Sequence, residues 1–295
     1  MTLHQPLTRP MRCIGILHHP RKPESAALAG QMAALVQDHG CSAWLDSAWD
    51  ETGVIGRLGE TPELDLLITL GGDGTILRAA RMGAHAAIPI LGVKMGRLGF
   101  LAEVEPEDWQ APLHAVLAGQ YWLERRLMLD VLLRRNGVAV DETGRELHFQ
   151  ALNEAVVSRG RLARIVRVST WIDGDFLTTY AADGVIVATA TGSTGYALAA
   201  GGPILPPELR NILVMPIAPH LSLERALVLS EGAVVRLEVV ADHQIILSVD
   251  GQFDVEVQNG DTVEVTASND SANFVRVRPP AYFYRSLMQR LKWNL

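Results

Sequence analysis

The chain has 295 residues, 48% of them apolar and 20% charged, with a formal net charge of -7 and a pI near 5.7. That composition is globular rather than disordered, has room for one large or two ordinary domains, and lacks the basic surplus of a general nucleic-acid binder. Cys13 and Cys41 are too few for a disulfide framework or a four-thiolate zinc site. With no apolar leader and no run of ~20 apolar residues, they point to a soluble cytoplasmic protein with neither membrane nor nucleic acid as partner.

In chain order, CIGIL at 13–17 predicts a strand, and residues 24–39 set Leu28, Met32, Leu35 and Val36 on one helical face that Gly40 ends. SAWL at 42–45, LDLLITL at 64–70 and PILGV at 89–93 supply further strands. Between the last two lies GGDGT, 71–75, where three glycines favour a sharp turn and a close approach of ligand to backbone. A helix follows from Thr75 to a stop at Gly83, and another from Pro106 to Leu117. Strands alternating with helices predict a doubly wound, mostly parallel α/β sheet over residues 11–121.

From residue 122 the period changes. LMLDVLLRRNG at 127–137 alternates apolar and polar residues and ends in Asn136-Gly137, a hairpin signal. ARIVRVSTWIDGDFLTTY turns at Asp173-Gly174, and VVRLEVV, HQIILSVDG, DTVEVTA and FVRVRP read as further strands, with Asp250-Gly251 as another hairpin turn. Residues 122–278 are therefore expected to form a β-rich domain. Residues 279–295 return to helix, with Phe283, Leu287 and Leu291 on one face, expected to pack back on the first domain.

A strand–turn–helix offers free N–H groups and a helix dipole to phosphate, so an aspartate inside it is anomalous. It competes for the same donors unless a metal ion or a hydroxyl about to lose its proton stands between them, or unless Asp73 serves only as a helix cap. A second cluster, TGSTGY at 191–196, follows the apolar GVIVATA and suits either a nucleotide contact or an ordinary loop. Neither GxxxxGK[ST] nor GxGxxG occurs, and TGSTG is not a nucleophile elbow, which argues against P-loop kinases, ordinary Rossmann dehydrogenases and serine hydrolases.

Taken in order, GGDGT, LGVKMGRLGFL, Asn153-Glu154, DGVIVATATGSTGYALAAGGPI, the PIAPH segment and SVDGQ resemble the NAD kinase family. GGDGT alone is shared with lipid kinases and phosphofructokinases. The resemblance implies phosphoryl transfer from ATP, carried with Mg²⁺, to the 2′-hydroxyl of the adenosine ribose of NAD. It also implies a homodimer or homotetramer. His18-His19 ends the first strand with no third ligand at metal spacing nearby, so no tightly bound metal is expected. Asp73 is the implied proton acceptor. Gly72, Gly74, Asn153, Glu154, Asp183, Thr194, Gly195, Tyr196, Ala197, Leu198, Ala199 and Gln252 are implied substrate contacts, and Arg78 and Arg164 suit phosphate oxygens. Ala190, Gly195, Ala197, Ala199 and Lys94 depart from the family pattern. The competing expectations are a lipid or sugar kinase sharing GGDGT and a dinucleotide-binding regulator without catalysis.

Overall fold

The computed structural model describes residues 10–47, 64–96, 99–135, 137–139, 147–160, 165–220, 225–240, 243–280 and 282–290. Asn136, Arg164 and Leu291 lie outside them. The chain divides into two compact units, Met1–Arg125 with Ser271–Leu295, and Arg126–Asp270.

In the first unit β1 (Cys13–His18), α1 (Pro23–Asp38), β2 (Ser42–Ser47), β3 (Leu66–Gly71), α2 (Asp73–Ala84), β4 (Ile90–Lys94) and α3 (Gln110–Leu117) follow one another. The strands lie side by side in the order β2-β1-β3-β4, all parallel. Every residue of β3 is buried, as an apolar run covered on both faces requires. Ile14, Ile16, Leu66, Ile68, Leu70, Leu91 and Val93 from the sheet form one core with Leu28, Met32 and Val36 of α1 and Leu113 and Val116 of α3.

β5 (Trp122–Arg134) carries the chain into the second unit. There β6 (His148–Ala151), β7 (Glu154–Arg159), β8 (Val166–Ile172), β9 (Asp175–Ala182), β10 (Gly184–Thr189), α4 (Tyr196–Ala199), β11 (Asn211–Ile217), β12 (Leu227–Ser230), β13 (Val235–Val240), β14 (Ile245–Val249) and β15 (Phe253–Val257) precede β16 (Thr262–Arg276). One antiparallel sheet runs β12-β11-β10-β7-β14-β15, while β16, β13, β8 and β9 are neighbours in another. The alternating strands turn Val235, Leu237 and Val239, and likewise Ile245, Leu247 and Val249, into a shared apolar core. β16 ends back in the first unit, where Phe274 pairs parallel with Ile90, and α5 (Tyr282–Arg290) follows.

Three expected boundaries are corrected. α2 begins at Asp73 rather than Thr75, since an acid in the first turn complements the helix dipole, and it runs through Gly83. The missing Cβ of Gly83 admits the Ile88 backbone, with the carbonyl oxygen 3.3 Å from where that Cβ would stand. α3 begins at Gln110 rather than Pro106, because the preceding residues form a turn closed by Asp108 N–H on Glu105 O at 3.2 Å. DTVEVTA and FVRVRP are the two ends of one strand, β16. β16 pairs with β5, and in the polar stretch Gln150 Nε2 donates to Ser268 Oγ (3.1 Å) and Asp270 Oδ2 (2.9 Å). Asp173 and Gly174 have φ of 54° and 91°, as the hairpin signal between β8 and β9 requires.

Candidate active site

In the first unit the GGDGT turn ends β3 and starts α2. None of its glycines has a positive φ, so the turn does not draw on left-handed backbone. Gly71 is required for space instead: a Cβ on it would lie 2.3 Å from Thr75 Oγ1. Gly72 and Gly74 are exposed and nothing stands within 4 Å of where their Cβ atoms would be, which leaves room beside them for a ligand.

Asp73 is not the cap of its own helix, whose N-cap is Gly72. Its carboxylate reaches a second loop, where Phe100 N–H donates to Oδ2 (2.8 Å) and Leu101 N–H to Oδ1 (3.3 Å). Two carboxylate oxygens offer about four lone-pair sites, so acceptor capacity remains for a hydroxyl proton. Gly99 makes the approach possible, since a Cβ there would fall 2.0 Å from Asp73 Oδ1. Arg78 lies five residues along α2, about 140° round the helix axis from Asp73, so the two side chains leave the helix in different directions. Lys94, at one of the unusual positions, is held by Glu105 at 2.6 Å.

In the second unit a buried carboxylate, Asp250, organises the Asn153-Glu154 pair. It accepts N–H bonds from Leu152 (2.9 Å), Asn153 (2.8 Å) and Glu154 (3.1 Å). The hairpin turn expected at Asp250-Gly251 is present, with φ of 52° and 62° between β14 and β15, yet the sequence gives no sign of this second task. Glu154 is 8% exposed and its Oε2 has no hydrogen-bond partner. Burial first, and then the neighbouring Asp250, push its carboxyl up to about 7, while the Tyr196 N–H pulls the other way. A buried orphan oxygen of this kind is costly unless a ligand completes it.

The 191–196 cluster folds over that pair. A Cβ on Gly192 would fall 2.1 Å from Asn153 O, and one on Gly195 would lie 2.9 Å from Glu154 Oε2 and 3.6 Å from Asn153 Nδ2. Thr189 Oγ1 donates to Leu152 O (2.6 Å) and accepts Gly192 N–H (3.1 Å), tying the two segments together. Thr194 Oγ1 bonds back to Thr191 O (3.0 Å). Tyr196 is 46% exposed, Ala199 is exposed and Leu198 is half-buried. Ala197 differs from the expected lining residues, because its methyl is buried among Val156, Ile186, Ala188, Leu213 and Met215, where a serine hydroxyl would need a partner.

The structure thus brings together Asn153, Glu154, Gly195 and Tyr196, with Gln252 two residues beyond Asp250. Asp183 is elsewhere in the same unit. It is ion-paired with Arg159 at 2.8 Å and adjoins Gly184, four residues along the β7–β10 ladder from the Glu154 level, or roughly 14 Å. Gly99, Phe100, Leu101 and Asp250 were missed by sequence reasoning. The glycine of LGFL is the one sequence signal for the first three.

The chain matches the models of the ATP-NAD kinase N-terminal domain over residues 57–121 and the ATP-NAD kinase C-terminal domain over residues 152–277. It is 41% identical over 281 residues to an NAD kinase of Dehalococcoides mccartyi, covering 95% of this chain and 96% of the relative. With an NAD kinase of Chloroflexus aggregans it shares 40% over 285 residues, covering 95% and 98%. The fold is similar to that of yeast NADH kinase complexed with NADH (TM-score 0.83, 26% identity, 97% of this chain and 89% of the other). It is also similar to an NAD kinase from Archaeoglobus fulgidus in complex with ATP (TM-score 0.73, 26% identity, 96% and 99%). The chain belongs to the NAD kinase family, a family of phosphotransferases. Because the match spans both halves, it favours NAD kinase over a lipid or sugar kinase sharing GGDGT alone.

Proposed function

We propose that this chain transfers the γ-phosphoryl group of ATP to the 2′-hydroxyl of the adenosine ribose of NAD, giving NADP and releasing ADP. The observation that carries the reading is the Asp73 carboxylate, oriented by two backbone N–H groups beside the open glycines of GGDGT. Phosphoryl transfer asks mainly for positioning and charge stabilisation. Asp73 accepts the hydroxyl proton as the oxygen–phosphorus bond forms. Asn153 holds one part of the dinucleotide, with both donors and an acceptor to offer. Glu154 completes its orphan oxygen on a ribose hydroxyl, and Tyr196 offers a ring face for stacking.

Mg²⁺ belongs to this reading as a partner of the ATP phosphates. Such an ion arrives with the nucleotide and takes most of its ligands from phosphate and water. When bound it neutralises charge on the triphosphate. No described helix is long and apolar enough to cross a membrane, and we place the enzyme in the cytoplasm as a homodimer or homotetramer.

The test is NADP formation by the purified protein from Mg-ATP and NAD, read with an NADP-specific dehydrogenase and repeated with EDTA. Activity that requires the metal supports the proposal. A protein that binds NAD by calorimetry but forms no NADP is instead a dinucleotide-binding regulator.

A further inference from the structure

The loop that orients Asp73 is itself fastened by a residue near the other end of the chain. Leu101, whose N–H meets Asp73 Oδ1, has its carbonyl bonded by Arg276 Nη1 at 3.0 Å. Arg276 is the last residue of β16 and is 7% exposed. Its Nε and Nη2 reach Glu124 Oε2 at 2.7 and 2.6 Å, and its Nη1 lies 3.4 Å from Glu103 Oε2. Glu103 Oε1 in turn accepts the N–H groups of Val277 (3.1 Å) and Arg278 (2.9 Å), and Trp122 Nε1–H donates to Arg278 O at 2.8 Å. All of these residues belong to the first unit.

A buried guanidinium between two carboxylates is poor value as a stabilising device, because desolvating the three charges offsets much of their attraction. It is well suited to holding geometry. The guanidinium donates from a rigid plane, so a single side chain can grip Glu124 on one edge and the Leu101 carbonyl on the other.

We propose that Arg276 is a positioning residue for phosphoryl transfer, fixing the Leu101 carbonyl and thereby the Phe100 and Leu101 N–H groups that aim Asp73 at the acceptor hydroxyl. The proposal rests on the reading of Asp73 as the base. Burial works against the charge of Arg276, and Glu124 and Glu103 more than offset it, so the side chain remains a full donor.

The test compares wild type with Arg276→Lys, measuring thermal midpoint, kcat and KM for NAD per folded molecule, and amide exchange at Phe100 and Leu101. Lysine keeps the charge between the two glutamates but cannot span Glu124 and the Leu101 carbonyl with one ammonium. The expected result is a kcat lower by roughly 10–100-fold, KM for NAD within about 3-fold, and faster exchange at both amides. If Arg276→Lys does not fold, Glu103→Gln replaces it. That variant keeps the acceptor for Val277 and Arg278 and weakens only the grip on Nη1, so a smaller kcat loss with faster Leu101 exchange is expected. A variant with a lower thermal midpoint but wild-type kcat per folded molecule and unchanged exchange would overturn the proposal. Wild type that makes no NADP, or an Asp73→Asn variant as fast as wild type, would sink the underlying functional reading instead, and the exchange data would still judge the fastening.

Discussion

Gly99→Ala isolates the geometry around Asp73 without touching the carboxylate. The new Cβ would lie 2.0 Å from Oδ1, 2.4 Å from Cγ and 2.6 Å from Oδ2, whereas real Cβ contacts keep at least 3.0 Å. The carboxyl group, or the loop opposite it, must therefore retreat by about 1 Å, which is the scale of misplacement that costs on the order of 100-fold in rate. The same retreat breaks or stretches the bonds from Phe100 and Leu101, charge-assisted contacts worth about 1.5–3 kcal/mol each when fully lost. Removing glycine's freedom from the unfolded chain returns about 0.4–1 kcal/mol. The expected outcome is a folded protein, destabilised by about 1–3 kcal/mol, with kcat reduced about 100-fold at saturating Mg-ATP and NAD. Steady-state NADP formation and a urea melt read the two effects separately. A variant within about 3-fold of wild-type kcat would refute the claim that this carboxylate must sit where the Phe100 and Leu101 N–H groups hold it.

Asp73→Asn should bind NAD within a few-fold of wild type by calorimetry while kcat falls by roughly 10²–10⁴, the usual contribution of a general base; near-normal turnover would remove Asp73 from that role. Glu154 sets a pH dependence. With its carboxyl raised from 4.5 to about 7, the folded protein holds a proton that the unfolded chain releases between those values. The associated stability is intact below about pH 4.5 and is lost as pH rises through about 7. Glu154→Gln should flatten that slope and exceed wild type at about pH 8 by on the order of 3 kcal/mol. Equal differences from wild type in urea melts at about pH 5 and pH 8 would contradict it. Tyr180 is fully buried in the β core and its hydroxyl has no partner, so Tyr180→Phe should raise stability by about 1 kcal/mol; a clear loss in the melt would show that the hydroxyl is satisfied after all.

Much of the architecture is legible in the sequence because it follows local rules. LDLLITL has no polar face to show water and becomes the wholly buried β3, and Asp173-Gly174 can satisfy its φ angles only in a tight turn. What escapes is long-range. SNDSAN looks like a break between two strands, yet it lies within one strand that pairs with β5 and that Gln150, more than a hundred positions away, bonds at Ser268 and Asp270. Asp73 is legible through its motif, but the groups around its carboxylate are backbone amides and, behind them, a guanidinium, which leave no spacing or periodicity in the sequence. Asp250 is hidden by an adequate simpler explanation. A turn accounts for its residue type, and its bonds to the 152–154 amides depend on a strand pairing invisible along the chain.

The unit that carries Asp73 is discontinuous, made of the first stretch of the chain and its last, while the β-rich unit between them is a single uninterrupted segment. During synthesis the two consequently cannot mature in the order in which they emerge. The β-rich segment is complete once Asp270 is free, whereas the earlier α/β segment must wait for Phe274 to lie along Ile90 and for Arg276 to close over Leu101. A nascent chain stalled or clipped before that point carries every residue of the GGDGT motif and still lacks the Arg276 bond to the Leu101 carbonyl.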